Sequence, residues 1–371
     1  MRVGLDARAL ASTTRSGVEA YVANLVRALA ALEGAPEIVA YTDRPIADPE
    51  LAHAASSGSV RTEVVGARWG WLRLALPRRL RRDRVHLAHF PSTILPPFLP
   101  CPAVVTVHDL AWRRFPESYD PADLKMQAVA LASARRAARV LAVSYTTARD
   151  LEQAGVSRDR VSVVPLGVSA RFTPGGPGLA PDAFPGAERL QQGYLLSVCR
   201  LHARKNLRRL LDAYRTVRET TAAPPLVLAG DLTDYGQGLL HRAEELGLAE
   251  HVLFPGQVPE DVLPSLYRGA TLFLYVSLYE GFGLPVLEAM ASGTPVVTAN
   301  LGGTAEVAGE AAMLVNPEQV SEIADAMRLL LAGEEARAGL RDRGLARARH
   351  FTWEQTARET VGVYQRVVQR G

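Results

Sequence analysis

Apolar and polar positions along the chain alternate between two rhythms. MRVGLD, EIVAYT, VHLAHF, AVVTVHD, VLAVS and RVSVVPLG are short, nearly unbroken apolar runs rich in valine, and they read as buried strands. Between them, Gly17 to Leu32 and Ala122 to Ala138 repeat apolar side chains at helical spacing. Strands alternating with helices predict a mostly parallel sheet covered on both faces.

Periodicity lapses from Ala170 to Gly193, where prolines and glycines dominate, and this marks a domain boundary. The same alternation then restarts. YLLSVCR, PLVLAG, HVLFPG, ATLFLYVS, TPVVTA and AAMLVN read as strands. Asn206 to Thr220, Tyr235 to Leu246, Glu260 to Gly269 and Pro285 to Ala291 read as helices, and further helices run from Val320 to His350 and from Trp353 to Arg370. The predicted fold is α/β with two Rossmann-like domains: residues 1–170, a linker over 171–192, a second domain over 193–350, and a final helix in 351–371 that crosses back to the first. Ligands are expected at the C-terminal ends of the strands, in a cleft between the domains. No repeat is visible that would suggest a solenoid.

Composition narrows the class. A chain of 371 residues exceeds one ordinary core, and 48% hydrophobic with 22% charged residues is globular rather than disordered. Cys101 and Cys199 lie in different predicted domains and read as free thiols of a reducing compartment. The start, MRVGLDARAL, carries Asp6 and Arg8 where a signal peptide would be apolar, and no segment approaches the ~20 apolar residues of a membrane span. A cytoplasmic protein is expected, with any membrane association peripheral and on the inner face. The net charge of +3 comes without a basic stripe interleaved with aromatics, which argues against nucleic acid. One cluster departs from this mildness: in RWGWLRLALPRRLRRDR, Arg68 to Arg84, the arginines of 73–84 follow Trp69 and Trp71. That mix suits contact with anionic headgroups, although Pro77 interrupts the pattern and a solvated arginine-rich helix is the plainer alternative.

Among 42 basic residues only Lys125 and Lys205 are lysines. A lysine kept against such a bias points to a task for a compact ammonium.

The stretch YEGFGLPVLEAMASGTPVV, Tyr279 to Val297, sets Glu280 and Glu288 around a Gly-Phe-Gly-Leu-Pro turn at a strand end. Pro285 favours the first helical turn, and Gly281 and Gly283 let the backbone approach a ligand. Amides of Phe282, Gly283 and Leu284 at the helix start suit an anion or sugar hydroxyls. Glu288, one turn inside the helix, suits a diol such as a ribose, and Glu280 reaches the other end of the same ligand. A glycosidase pair fits poorly, because those carboxylates flank a bond rather than line one wall. In SVCRLHARKNLRRLLDAY, Arg200 ends a strand and Lys205 stands at a helix start, so both cations are expected to converge on a diphosphate. Arg204, Arg208 and Arg209 read as surface or neighbouring charge. In TVHDLAW, His108 and Asp109 end an apolar strand. His86 and His89 point to opposite faces of theirs, which argues against a metal site, and Ser144 is placed to cap the following helix.

EGFGLPVLE, Glu280 to Glu288, resembles the E-x7-E motif of retaining GT-B glycosyltransferases of family GT4, and Arg200 with Lys205 looks like that family's R-x4-K pair. GGTAEV, Gly302 to Val307, and TPVV at 294–297 continue the likeness. The resemblance implies the GT-B fold and a hexosyltransferase with a nucleotide-diphosphate sugar held mainly by the second domain. Arg200 and Lys205 would hold the diphosphate, Glu280 and the Phe282 to Leu284 amides the sugar, and Glu288 the ribose. Phe254 and Val258, in FPGQVP, would adjoin the base, and His108 would lie near the reacting sugar carbon. TRSGVEAYV, Thr14 to Val22, looks like the family's glycine loop near the donor phosphate, but it has the single Gly17 where many relatives have a glycine pair. With two cations and oriented amides available for leaving-group charge, no metal or other cofactor is expected. GDP-mannose is the favoured donor, with UDP-glucose and dTDP-rhamnose open, and the acceptor is a glycan, a lipid-linked glycan or a small molecule. The competing readings are a nucleotide-sugar epimerase or hydrolase on the same fold and a non-catalytic nucleotide-sugar binding protein. A pyridoxal phosphate phosphorylase fits less well: the resemblance puts Lys205 on phosphate, and the chain is short for that class.

Overall fold

The computed structural model describes every residue except 13–16, 68, 233, 370 and 371. It divides into two compact units: Met1–Gly167 together with Phe351–Gly371, and Val168–His350.

In the first unit seven strands form one sheet: β1 (Arg2–Asp6), β2 (Glu37–Thr42), β3 (Val60–Val64), β4 (Leu87–Phe90), β5 (Ala103–Val107), β6 (Arg139–Ala142) and β7 (Val161–Val163). Their order is β3-β2-β1-β4-β5-β6-β7, and every pair is parallel. In the second unit six strands do the same: β8 (Leu195–Val198), β9 (Leu226–Ala229), β10 (Val252–Gly256), β11 (Leu272–Tyr275), β12 (Val296–Ala299) and β13 (Met313–Val315), in the order β10-β9-β8-β11-β12-β13. The chain winds outward from β8 in one direction and then resumes at β11 on its other side. Loops leaving β8 and β11 therefore diverge and leave a crevice at their C-terminal ends, as in open parallel sheets generally.

Helices cover these sheets because their sequences supply one apolar stripe. The Leu207–Arg218 helix buries Leu207, Leu210, Leu211, Tyr214 and Val217. Each such side chain contributes about 1.5 to 3 kcal/mol of burial. Ser144 caps the Tyr145–Gln153 helix as its position indicated, accepting from the Thr147 amide at 3.0 Å.

Several elements depart from the periodic reading. β3 is a half-exposed edge strand, VRTEV, whose alternation is too weak to announce it. The span 320–350 holds two helices, Val320–Ala332 and Glu334–Ala348, interrupted at Gly333. The stretch read as a linker is folded onto the second unit: Phe172, Leu179, Phe184 and Leu190 are buried, and Arg268 donates to the carbonyls of Thr173 and Pro177. Prolines and glycines hid these apolar anchors, because their spacing follows neither helix nor strand.

The Trp353–Val368 helix packs on the Gly17–Ala31 helix and on β4 and β6. A buried polar chain fastens it. Tyr364 Oη lies 2.7 Å from His89 Nδ1, His89 Nε2 lies 2.8 Å from Thr106 Oγ1, and Tyr21 Oη lies 3.1 Å from the same Thr106 oxygen. Burial pulls the His89 pKa down to about 3, so the imidazole is neutral and each ring nitrogen has a partner.

Candidate functional site

At the crevice between β8 and β11, the chain leaving β8 makes a short turn, Ala203–Lys205, before the next helix. Asn206 makes this turn possible by adopting a left-handed conformation (φ 62°), which asparagine tolerates better than most residues. Its side-chain amide donates to the carbonyls of Val276 at 3.1 Å and Pro317 at 2.6 Å, and the Leu278 amide donates to the Arg204 carbonyl at 2.8 Å. The two loops are thereby stitched together.

The result is a compact charged cluster. Lys205 Nζ donates to Glu280 Oε1 at 2.5 Å and to Tyr275 Oη at 2.8 Å, while Arg204 Nη1 donates to Glu280 Oε2 at 2.8 Å and to the Tyr279 carbonyl at 3.1 Å. Tyr275 Oη in turn donates to Glu280 Oε1 at 3.1 Å. Lys205 is 7% exposed and Glu280 8%. Burial alone pushes the Glu280 pKa up, but the charges of Lys205 and Arg204 outweigh it and hold it near about 2. Of the two readings open for Arg204, surface or neighbouring charge, the structure shows the second: it belongs to the cluster, in which Lys205 and Glu280 are both buried. Arg200, by contrast, is exposed just beyond β8.

Glycine chemistry shapes the neighbouring loop. The Gly303 amide donates to the Glu280 carbonyl at 2.9 Å, at the start of the Gly302–Ala308 helix. A Cβ on Gly303 would meet the Gly281 carbonyl oxygen at 2.4 Å and Phe282 Cα at 2.6 Å, so only glycine permits this contact. Gly283 has φ 117° immediately before the Leu284–Ala291 helix, whose first turn holds Pro285. Gly281, Phe282 and Gly283 are buried, and Leu284 is half-buried.

Glu288 sits on the same helix in a different setting. Tyr267 Oη donates to its Oε2 at 2.9 Å. Burial pushes its pKa up to about 7, and the Tyr267 hydrogen bond and the Arg171 charge only partly oppose this. Arg171 pairs with Glu260 at 3.0 Å, and Phe172 meets the Tyr267 ring edge-on at 5.6 Å, so the chain entering this unit braces the tyrosine. Phe254 and Val258 flank the end of β10, half-buried and buried respectively.

In the first unit, His108 follows β5, with Nε2 3.3 Å from the Pro91 carbonyl oxygen and its ring edge-on to Tyr21 at 4.9 Å. Burial lowers its pKa despite the Asp109 charge, which favours a neutral imidazole. Beside it is a cavity of about 370 Å³ lined by Glu19, Thr93, Asp109, Trp112 and Met126, among others. Of the glycine loop, Thr14, Arg15 and Ser16 lie outside the described residues. Gly17 opens its helix with nothing within 4 Å of where a Cβ would stand. Cys101 and Cys199 are free, with burial pushing both thiols up to about 11, so neither is a thiolate at neutral pH. Among the described residues no cluster of histidine, cysteine and carboxylate side chains has the makings of a metal site, and no helix is long and apolar enough to cross a membrane.

Tyr275 and Tyr267 went unnoticed in the sequence because Tyr275 ends an apolar strand and Tyr267 stands beside Leu266 on the buried side of a helix, where a tyrosine reads as core. The available signal was that a buried tyrosine hydroxyl requires a polar partner nearby.

Comparison with known proteins fits this geometry. A family model described as Glycosyltransferase Family 4 matches residues 15–172, and one described as Glycosyl transferases group 1 matches residues 182–347. O-antigen chain mannosyltransferase B of Escherichia coli is 34% identical over 305 residues, covering 79% of this chain and 78% of that protein. A sucrose-phosphate synthase from Thermosynechococcus elongatus shares the fold with a TM-score of 0.77 at 22% identity, over 100% of both chains. Anabaena HepE, solved with UDP and glucose, does so with a TM-score of 0.75 at 21% identity, over 98% of this chain and 99% of its own. With both its α/β units matched by these families, the chain belongs to the GT4 glycosyltransferases: it is a hexosyltransferase of GT-B fold.

Proposed function

We propose that this glycosyltransferase moves a mannosyl unit from GDP-mannose to a hydroxyl of a glycan or lipid-linked glycan, with retention of anomeric configuration. The observation that carries the donor assignment is the cluster at the ends of β8 and β11. Lys205 and Arg204 bring two positive charges and Glu280 one negative, so the cluster keeps a net charge of +1 in a poorly hydrated setting. Exposed Arg200 supplies a second positive charge on the same strand end. Such a set suits a diphosphate whose negative charge grows as the sugar departs, and it acts without reorganising. Donor contact replaces part of what Lys205 gives Glu280. The amides of Phe282 to Leu284 and Glu280 then serve the sugar hydroxyls, and Glu288, when ionised, accepts from the ribose diol.

Phe254 and Val258 are assigned to the nucleoside base, Gly17 to the donor side of the first unit, and His108 to the transfer step. Because fixed cations meet the phosphate charge, the proposed reaction uses no resident metal. The departing phosphate assists deprotonation of the acceptor hydroxyl, which accounts for a site without a dedicated nucleophile. Mannose is favoured because the E. coli relative is named a mannosyltransferase.

Thermal-shift measurements with GDP, UDP, dTDP and ADP test the donor. GDP is expected to stabilise most, by about 2.7 kcal/mol at a hundredfold excess over its Kd. A larger shift with UDP would reassign the base, and no shift with any nucleotide would overturn the site. Transfer from GDP-mannose in the presence of a chelator, with the product anomer read by NMR, tests metal independence and retention together.

A further inference from the structure

The arginine cluster of the first unit takes a definite shape. A π-helical turn, Trp71–Ala75, runs straight into the α-helix Leu76–Arg82, with Pro77 in the first turn of the latter, where its missing amide costs no hydrogen bond. Trp71, Leu76 and Leu80 point inward and are buried. Trp71 is not available to a partner: its indole donates to the Val65 carbonyl at 2.9 Å, and the Arg8 guanidinium covers its ring at 4.4 Å. Trp69 behaves oppositely, being 87% exposed, and Leu74 is 55% exposed.

The outward side is basic without local compensation. Leu74, Arg78, Arg81 and Arg82 recur at helical spacing along it, with Arg73 and Arg84 exposed at its margins. Nearby carboxylates are already engaged inward: Asp83 accepts from Arg79 and Tyr41, each at 2.8 Å, and Glu63 pairs with Arg61 and Arg79. Arg73, Arg78, Arg81, Arg82 and Arg84 form no ion pair among the described residues. A surface for a soluble polyanion would need only the arginines. An indole and a leucine left in water at one end of a basic helix face match the headgroup region of a bilayer, where an aromatic ring sits at the interface and arginines meet phosphates.

We propose that this face, Trp69 and Leu74 with Arg73, Arg78, Arg81, Arg82 and Arg84, docks the enzyme peripherally on an anionic membrane surface. The docking is independent of the donor site, since none of these side chains belongs to it.

Sedimentation of the full-length enzyme with vesicles tests it. Binding is expected to phosphatidylcholine vesicles that contain phosphatidylglycerol and not to pure phosphatidylcholine, and it should weaken as salt is raised. Replacing Arg78, Arg81 and Arg82 together by glutamine should lower vesicle affinity on the order of 100-fold. Trp69→Ala should weaken vesicle binding while leaving heparin binding unchanged. Transfer to a soluble acceptor and the melting temperature should stay as in the unmodified enzyme, because the replaced side chains are exposed. If the triple variant fails to fold, Trp69→Ala and the salt series still decide. Absence of binding to anionic vesicles, equal binding to neutral ones, or an indifferent Trp69→Ala variant on a heparin-binding surface would each overturn the proposal.

Discussion

Glu280 and Glu288 stand eight positions apart, one before the glycine turn and one inside the helix that follows it, and the fold gives them opposite surroundings. Glu280 is buried with two cations, which hold its pKa at about 2, whereas Glu288 is half-buried beside a neutral tyrosine hydroxyl and is pushed up to about 7. Loss of hydration acts on both. The sign of each shift is set by whether charge accompanies the carboxylate inward. The signs imply opposite pH dependences. Glu280 has a lowered folded pKa, so it contributes stability above its ordinary 4.5 that is lost as pH falls through about 2. Glu288 has a raised one, so its contribution is complete below 4.5 and is lost as pH rises through about 7. One motif thus combines a permanently ionised carboxylate with one that titrates near neutrality.

The largest test of this contrast is Lys205→Ala, which leaves Glu280 buried with Arg204 as its one remaining cation. A loss of about 3 to 5 kcal/mol in urea unfolding is expected, together with loss of most transfer. Arginine at this position should not restore kcat/KM, since a planar fork cannot occupy the ammonium's place between Tyr275 and Glu280. Unchanged stability would contradict the buried pair. Glu280→Gln comes next, with a cost of about 3 kcal/mol at pH 7 that shrinks as the comparison is repeated towards pH 2. Glu288→Gln should act in the other direction, raising stability by ~2 kcal/mol at pH 8 and hardly at all at pH 4.5, while increasing the KM for the donor. A destabilised variant at pH 8 would remove the basis for the contrast. Smallest is Tyr267→Phe, expected to cost about 1 kcal/mol. Because the lost hydrogen bond had been lowering the Glu288 pKa, the acid limb of the pH profile for donor binding should move upward.

Much of this architecture was legible in the sequence because parallel sheets bury both faces, and buried strands such as LVLA and LFLY are hard to mistake. The glycine turn and both glutamates were legible for a similar reason, since backbone demands on glycine and proline are local. Which cation meets Glu280 was not. That choice depends on the left-handed Asn206, which tightens the preceding turn so that Arg204 and Lys205 both face Glu280 while Arg200 remains exposed. A one-residue rotation of this kind leaves no periodic trace. The fates of Trp69 and Trp71 show the same limit: two tryptophans separated by one residue end up exposed and buried, because a left-handed Gly70 lies between them.

The hydrogen bond between Tyr364 and His89 joins the first sheet to the Trp353–Val368 helix, and it bears on how the protein is made. During synthesis, residues 168–350 are made as one continuous stretch, while the sheet formed by residues before them waits for the Trp353–Val368 helix that follows. The half of the molecule translated first is therefore the half completed last.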